Sequence, residues 1–209
     1  MRRPEFIARQ GGMPKGVIGS LVARIMRHET GEINRQVADL LGVQPGENVL
    51  DVGAGNGISL RHLADMALHG HVTGLDHSAV MCRRAQENNR QLIREDRVQV
   101  INAPSDAMPF DDETFDAVMS VHTLYFWDPA EPHLQEIARV LRPGARIAIA
   151  FRPDSDPMAA DFPQTVYRFR PPQEVGRLLS YCGFENLRYE TRTGSTTVVL
   201  ATRNAAVSL

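Results

Sequence analysis

The spacing of apolar residues changes from region to region along the chain, and each pattern predicts a different kind of structure. Between residues 17 and 41 apolar side chains recur at helical spacing, with an interruption at Gly31, so two N-terminal helices are expected there. After the turn-forming residues Gln44-Pro45-Gly46, short apolar runs alternate with longer segments of helical period. This alternation predicts βαβ units, and therefore a parallel sheet with helices on both faces.

The individual elements follow from the apolar runs and from the residues that end them. A first strand ends before Gly53, Gly70 is expected to end the helix that follows, and Ser78 is a suitable N-cap for the next helix. Residues 154–172 are rich in proline and are expected to form an irregular lid or loop. The predicted helices run from Ser59 to His69, Ala79 to Arg94, Ala130 to Leu141 and Gln173 to Cys182. The further predicted strands run from His71 to Asp76, Arg97 to Ala103, Phe115 to Val121, Ala145 to Phe151, Asn186 to Thr191 and Thr196 to Thr202. The last two strands are expected to form a hairpin at Gly194-Ser195.

Length and charge restrict the organisation and the partners. With 209 residues the chain is expected to form one domain, with an N-terminal helical lid (1–44), a core (45–151) and a C-terminal segment (152–209). A net charge of −2 gives no overall attraction to nucleic acid. Basic residues crowd the first 35 positions, where they form either a solvated helix face or a docking surface for an acidic substrate or for membrane headgroups.

Cysteine usage and hydropathy indicate the compartment. Cys82 and Cys182 lack the spacing of metal ligands and are interpreted as buried thiols in a reducing compartment. No apolar stretch has the length of a membrane span, and residues 1–4 are not followed by the apolar segment of a signal peptide. We therefore expect a cytoplasmic protein with no metal, no nucleic-acid partner and no stable membrane insertion, and we leave a homodimer open.

The segment between the first strand and the following helix carries most of the chemical information. Residues 51–57 have the pattern Asp-x-Gly-x-Gly-x-Gly, and glycines here let backbone N–H groups approach a ligand. A dinucleotide-binding loop requires a glycine where this chain has Ile58. Asp76 ends the next apolar run, at the separation where an acid meets ribose hydroxyls. Together these residues predict a bound nucleoside cofactor.

Four segments resemble motifs of one known family, in the family's order. Residues 50–57 (LDVGAGNG) and 74–78 (GLDHS) are similar to its first two motifs. Residues 102–118 (NAPSDAMPFDDETFDAV) are similar to its adenine-binding segment and fourth strand, and residues 136–150 (EIARVLRPGARIAIA) to the next helix and strand. The family is the class I S-adenosylmethionine-dependent methyltransferases, in the small-molecule group called type 11. The chain departs from it at Ala145, where a second glycine is common.

The resemblance implies a fold, a cofactor and a reaction. The expected fold is α/β and Rossmann-like, a doubly wound sheet of seven mostly parallel strands with one antiparallel strand at the C-terminal end. The implied cofactor is S-adenosylmethionine. The implied function is transfer of its methyl group to an oxygen, nitrogen or carbon nucleophile of a small-molecule acceptor.

The resemblance also implies contacts with the methionine and ribose portions of the cofactor. The backbone of Gly53, Ala54 and Gly55 would pass beneath the methionine portion. Asp51 would bind the amino group, directly or through water, or would only hold the glycine turn in place. Asp76 would accept hydrogen bonds from both ribose hydroxyls.

Further implied contacts lie at the adenine and at the methyl group. His77 would lie against the adenine, unless it is an exposed turn histidine. Asp106 would accept a hydrogen bond from the adenine amine, with Ala107 beside it. Val121 ends the fourth predicted strand and is expected to contact the cofactor, and His122 follows it at the position that in this family faces the methyl group.

His122 is the candidate catalytic residue. An imidazole there either takes a proton from a phenol, acid or amine nucleophile, or only bonds the backbone or positions the substrate. Tyr125, Phe126 and Trp127 either line an apolar substrate pocket or anchor the helix that follows.

Other functions remain as alternatives to methyl transfer. A non-catalytic S-adenosylmethionine-binding sensor or scaffold would keep the same three cofactor-binding acids, Asp51, Asp76 and Asp106. A nicotinamide-dependent oxidoreductase is disfavoured by Ile58 and by the segment around Asp106. Methylation of nucleic acid or protein is disfavoured because no Asn-Pro-Pro-Tyr type element follows the fourth strand and no basic domain is appended.

Overall fold

The computed structural model describes residues 31–205, and a single seven-stranded sheet forms its centre. The strands are β1 (Asn48–Val52), β2 (His71–Asp76), β3 (Val98–Asn102), β4 (Phe115–Val121), β5 (Leu141–Phe151), β6 (Phe184–Arg192) and β7 (Thr196–Arg203). Their order is β3-β2-β1-β4-β5-β7-β6. Strands β1 to β5 pair in parallel, and β7 is antiparallel to both β5 and β6. The predicted fold, including the antiparallel strand near the C-terminal end, is confirmed.

Helices connect the strands and cover the sheet. They are α1 (31–41), α2 (Leu60–Met66), α3 (Ala79–Asn88), α4 (Arg90–Arg94), α5 (Glu131–Val140) and α6 (Pro172–Tyr181), and short 3-10 segments lie at Leu124–Phe126, Pro157–Asp161 and Thr193–Ser195. The first of the two predicted N-terminal helices, with most of the basic cluster, lies outside the described residues, and residue 31 is already helical. No helix in the described part of the chain is long and apolar enough to span a membrane.

The two faces of the sheet carry separate hydrophobic cores. In β5 the larger side chains Ile147 and Ile149 point into one core, which includes residues of α5 and α6. The alternate residues Ala148 and Ala150 belong to the other core, which includes residues of α1 and α2. Because successive strand residues face opposite sides, the apolar strands require helices on both faces, as the sequence predicted.

Two helix boundaries differ from the prediction. The predicted helix from Ala79 to Arg94 is interrupted at Asn89, whose side-chain amide donates to the Gly57 carbonyl at 2.8 Å. The predicted helix from Ser59 to His69 ends at Met66, and His69 rather than Gly70 has a left-handed φ of 68°. Gly70 is required for space, because a Cβ there would lie 2.1 Å from the Glu47 carbonyl oxygen.

The C-terminal third agrees with the prediction in outline. Strand β5 begins at Leu141 rather than at Ala145, with a register irregularity opposite the start of β4. Most of residues 154–172 is irregular, although Asp156 caps a short 3-10 helix by accepting the Met158 backbone N–H at 2.8 Å. The predicted hairpin is present as the antiparallel pair β6–β7.

The strand order places the candidate site. The chain leaves β1 toward β2 and β3 on one side and returns to β4 and β5 on the other side. Because these five strands are parallel, their carboxyl ends lie at one edge of the sheet, and the crevice between β1 and β4 is the usual ligand position in such sheets. The glycine turn follows β1 there, and His122 follows β4.

Candidate active site

The glycine turn packs tightly on one side and is open on another. Gly53 has a φ of 78°, and a Cβ on it would lie 2.2 Å from Thr123 Oγ1. The backbone N–H groups of Gly53 and Ala54 both donate to the Leu75 carbonyl, at 2.8 and 3.0 Å. Gly55 has a φ of 56°, and the nearest atom to a Cβ there would be the Gly53 carbonyl oxygen at 4.0 Å. The turn therefore rests against β2 and the residue after β4, and residues 31–205 leave open space next to Gly55.

Asp51 is a buried acid at the end of β1. Its side chain is only 2% exposed, and it accepts a hydrogen bond from the Ser59 hydroxyl. Burial raises the pKa of Asp51 to about 7, with a further rise from the charge of Asp76 and an opposing effect of the Ser59 hydrogen bond. The protein therefore holds Asp51 near its titration midpoint at neutral pH, so a cationic ligand would favour its ionised form.

Asp76 connects the glycine turn with the helix that follows β2. Oδ2 accepts the Gly55 backbone N–H at 2.9 Å, and Oδ1 accepts the Ser78 backbone N–H at 2.8 Å. Burial raises the pKa of Asp76, while the hydrogen bonds from Ser78 and Gly55 act against that rise. Ser78 is the N-cap of α3, as predicted, with the Met81 N–H 3.5 Å from its hydroxyl. His77 is a largely exposed turn residue, with Nδ1 3.9 Å from Asp76 Oδ1.

Asp106 and Ala107 lie on the exposed loop between β3 and β4. His133 lies nearby, stacked on Trp127 at a centroid distance of 5.2 Å and bonded through Nδ1 to the Ser105 hydroxyl at 2.8 Å. Burial lowers the pKa of His133, and the charge of Asp106 opposes this effect. The loop after β3 is therefore held against α5 at the residue next to Asp106.

His122 follows β4 in a left-handed conformation, with a φ of 57°. Its backbone N–H donates to the Ala150 carbonyl at 2.8 Å, and its ring Nδ1 lies 2.9 Å from the Tyr125 hydroxyl. Burial lowers the pKa of His122 to about 4, and the charge of Arg152 lowers it further. The imidazole is therefore neutral at pH 7 and is a weak base. Val121, the last residue of β4, is half-buried beside it.

The three aromatic residues after β4 act mainly as anchors. Tyr125 and Trp127 are 6% and 2% exposed, and Phe126 is half-buried. Tyr125 packs against Phe169 at 4.8 Å, and Phe126 packs against Tyr167 at 4.9 Å, both measured between ring centroids. This aromatic cluster joins the loop after β4 to the segment after β5.

The structure adds residues that the sequence analysis did not identify. Ser59 bonds Asp51, Thr123 fills the space left by Gly53, and Arg152 acts on the charge of His122. Ser59 stood at the expected start of a helix, where its hydroxyl would normally cap the helix; here it is directed at Asp51 instead. Thr123 and Arg152 carried no signal, because their roles depend on contacts between separate strands.

The sequence of this chain matches the profile of a known protein family. The profile of a family described as "Methyltransferase domain" matches residues 50–149. These residues extend from β1 to β5 and include the glycine turn, Asp51, Asp76 and His122.

Individual proteins and a solved structure that resemble the chain are also described as methyltransferases. Cycloartenol-C-24-methyltransferase 1 of Oryza sativa subsp. japonica is 40% identical over 131 residues, which cover 62% of this chain and 36% of that protein. Demethylmenaquinone methyltransferase of Tropheryma whipplei (strain Twist) is 29% identical over 189 residues, covering 75% of this chain and 74% of that protein. The crystal structure of a SAM dependent methyltransferase from Aquifex aeolicus has a TM-score of 0.67 at 28% identity, covering 81% of this chain and 89% of that one.

The matched region is only a part of most of these relatives. The chain spans between 32% and 53% of the length of seven of the curated relatives it matches. The family profile covers residues 50–149, which include the glycine turn and both acids. The family match, the sheet order with its antiparallel strand and the similarity to methyltransferase structures agree. The chain belongs to the class I S-adenosylmethionine-dependent methyltransferases, and S-adenosylmethionine is its cofactor.

Proposed function

We propose that this chain transfers a methyl group from S-adenosylmethionine to an oxygen, nitrogen or carbon nucleophile of a small molecule. The observation that carries the proposal is the convergence of two buried acids, Asp51 and Asp76, on an open glycine turn where the strand order reverses. Relatives named for methyl transfer to cycloartenol and to demethylmenaquinone support a small-molecule acceptor.

The described residues fit the methionine and ribose portions of this cofactor. In the proposal the backbone of Gly53, Ala54 and Gly55 passes beneath the methionine portion, where a Cβ at Gly55 would meet no close atom. Asp51 binds the amino group, whose positive charge favours the ionised carboxylate. Each oxygen of Asp76 makes one hydrogen bond to the protein, which leaves a further lone pair on each oxygen for the ribose hydroxyls.

The adenine and methyl ends are assigned to the neighbouring loops. His77 follows β2, Asp106 lies on the loop after β3, and both are exposed. In the proposal His77 would lie against the adenine. Asp106 and Ala107 would contact its amine edge. Val121 and His122 lie at the end of β4, next to the proposed position of the methyl group.

The reaction requires orientation more than proton transfer. When bound, S-adenosylmethionine supplies an electrophilic methyl group on a sulfonium, and the sulfur keeps the bonding electron pair on transfer. The chain's part is to hold an acceptor in line and to exclude water. The aromatic cluster after β4 is suited to exclude water, because its rings are packed against one another on one side of His122. His122 would contact the acceptor and is the candidate catalytic residue.

The remaining expectations concern the whole protein. An N-terminal lid formed by residues 1–44, a homodimer and a cytoplasmic location stay predictions from the sequence. Cys82 and Cys182 are free and buried, which supports a reducing compartment.

Calorimetric titration tests the proposal. The purified protein should bind S-adenosylmethionine and S-adenosylhomocysteine in the micromolar range and should not bind NAD. Candidate phenols, acids, amines and carbon nucleophiles would then be screened for release of S-adenosylhomocysteine. Binding of NAD alone would overturn the assignment, and cofactor binding without turnover on any acceptor would favour the sensor or scaffold.

A further inference from the structure

The hydroxyl of Tyr125 has two hydrogen-bond neighbours with different chemical constraints. The backbone N–H of Arg152 lies 2.6 Å from the phenol oxygen, and it is able only to donate. The phenol hydrogen must therefore be directed to another atom. Among the described residues, His122 Nδ1 at 2.9 Å is the acceptor within reach.

This arrangement specifies the tautomer of His122. If Nδ1 accepts the phenol hydrogen, the neutral imidazole carries its own proton on Nε2. In the other tautomer Nδ1 carries the proton and would donate it to the phenol oxygen, which already accepts the Arg152 N–H. The hydroxyl hydrogen of Tyr125, a residue that is only 6% exposed, would then have no acceptor. A buried donor without a partner is unfavourable, so the tautomer with Nε2–H is preferred.

Burial keeps the imidazole neutral by lowering its pKa, and one positive charge adds to this effect. Arg152, directly after β5, is the cation whose charge lowers the pKa of His122 further. Its guanidinium donates to Asp156 Oδ2 at 3.0 Å and to the Gly194 carbonyl at 2.8 Å. Asp156 is thus paired with Arg152 and caps the 3-10 helix with its other oxygen, so its charge is already compensated. His122 Nε2 has no hydrogen-bond partner among the described residues.

We propose that Tyr125 is a positioning residue that keeps the proton of His122 on Nε2, so that His122 donates a hydrogen bond to an acceptor whose nucleophilic oxygen is already ionised. The acceptor class is an acidic phenol or a carboxylic acid. This inference rests on the proposed function and narrows its acceptor.

The chemistry follows from the protonation states. An ionised oxygen has no proton to lose, so its lone pair forms the new oxygen–carbon bond without a base from the protein. The Nε2–H group is a hydrogen-bond donor and therefore favours an anion at this position. An alkylammonium acceptor would need a base to remove a proton first, and an imidazole with its proton already on Nε2 offers no lone pair on that side.

Nitrogen-detected NMR of the ring tests the tautomer without any substrate. In protein labelled with ¹⁵N, the His122 signals are assigned by their loss in His122→Gln. The wild-type ring should be neutral near pH 7 with an unprotonated Nδ1. In Tyr125→Phe, which keeps the aromatic packing, the ring should shift toward a mixture of tautomers. Tyr167→Phe makes the same change in the same cluster and should leave the His122 signals unchanged. A protonated Nδ1 in the wild type would overturn the inference.

Turnover provides a second readout once an acceptor is found. His122→Gln should remain at least about tenfold more active than His122→Ala, because glutamine keeps an N–H donor of similar reach and has no basic nitrogen. Across a series of phenols, activity should follow the ionised fraction of the acceptor. Equal losses in both variants would indicate a base and would contradict the inference.

The two proposals fail separately. A protonated Nδ1 in a protein that binds S-adenosylmethionine would overturn this inference alone. The expected tautomer in a protein that binds no S-adenosylmethionine would overturn the proposed function, and with it the acceptor class.

Discussion

Asp76 Oδ2 accepts the backbone N–H of Gly55 at 2.9 Å, and this hydrogen bond joins the end of β2 to the glycine turn that follows β1. The acid that the sequence assigns to the ribose therefore also holds the loop assigned to the methionine portion. Removing the carboxylate should consequently disturb both contacts, and the cofactor is expected to stabilise the turn that receives it.

Asp76→Ala should weaken binding of S-adenosylmethionine by about 1.5–3 kcal/mol, because the carboxylate-to-diol pair and the bond to Gly55 are both lost. Isothermal titration measures the change. Asp65→Ala removes an acid whose side chain is 63% exposed and should leave the dissociation constant unchanged. An unaltered constant in Asp76→Ala would contradict the assignment of this residue.

Gly53→Ala should destabilise the fold far more than Gly144→Ala. The two glycines have nearly the same φ, 78° and 77°, so the conformational cost of a side chain is shared. A Cβ at Gly53 would lie 2.2 Å from Thr123 Oγ1, whereas a Cβ at Gly144 would have no neighbouring atom of the described part of the chain within 4 Å. The left-handed backbone conformation alone should lower the free energy of unfolding of Gly144→Ala by about 1–2 kcal/mol. In Gly53→Ala the overlap with Thr123 should lower it by at least about 2 kcal/mol more. Urea unfolding gives both values, and equal values would refute the close contact.

Cofactor affinity should increase with pH because of Asp51. Burial raises the pKa of Asp51 to about 7, so the carboxyl is mostly protonated below that pH, and the cofactor's ammonium has to displace a proton there. Affinity should therefore rise by about 25-fold from about pH 5.5 to about pH 7.5. Titrations across this range measure the slope, and Asp51→Asn should bind more weakly with a nearly flat profile. A steep profile that persists in Asp51→Asn would assign the titration to another group.

Arg170→Ala should destabilise the protein through the loop after β4. Arg170 is 3% exposed and donates to the Trp127 and Leu124 carbonyls at 2.6 and 3.2 Å. Its Nε also forms an ion pair with Glu174 at 3.2 Å. Loss of these bonds should lower the free energy of unfolding by about 3 kcal/mol. Arg168→Ala, at a side chain 53% exposed, should stay within about 0.5 kcal/mol of the wild type. Similar unfolding midpoints for both variants would show that the buried bonds contribute little.

Local patterns in the sequence determined most of the architecture. The apolar runs predicted strands that the structure begins and ends at the same residues in β2 and β4, His71–Asp76 and Phe115–Val121. Ser78 was recognised as a cap because capping depends on residues within one turn. The same locality explains the errors: Asn89 interrupts a helix through a bond to Gly57, which lies 32 residues earlier.

The sequence by itself also predicted the edge of the sheet at which the candidate site lies, because the carboxyl ends of parallel strands meet at one edge and the motif residues follow those ends. Only the tertiary structure decided the protonation chemistry there. It buried Asp51 beside Ser59, paired His122 with Tyr125, and brought the backbone of Arg152 to that phenol across 27 residues. The physical reason is that pKa values and tautomers depend on burial and on partners from other strands, whereas strand periodicity and turn formation depend on neighbouring residues.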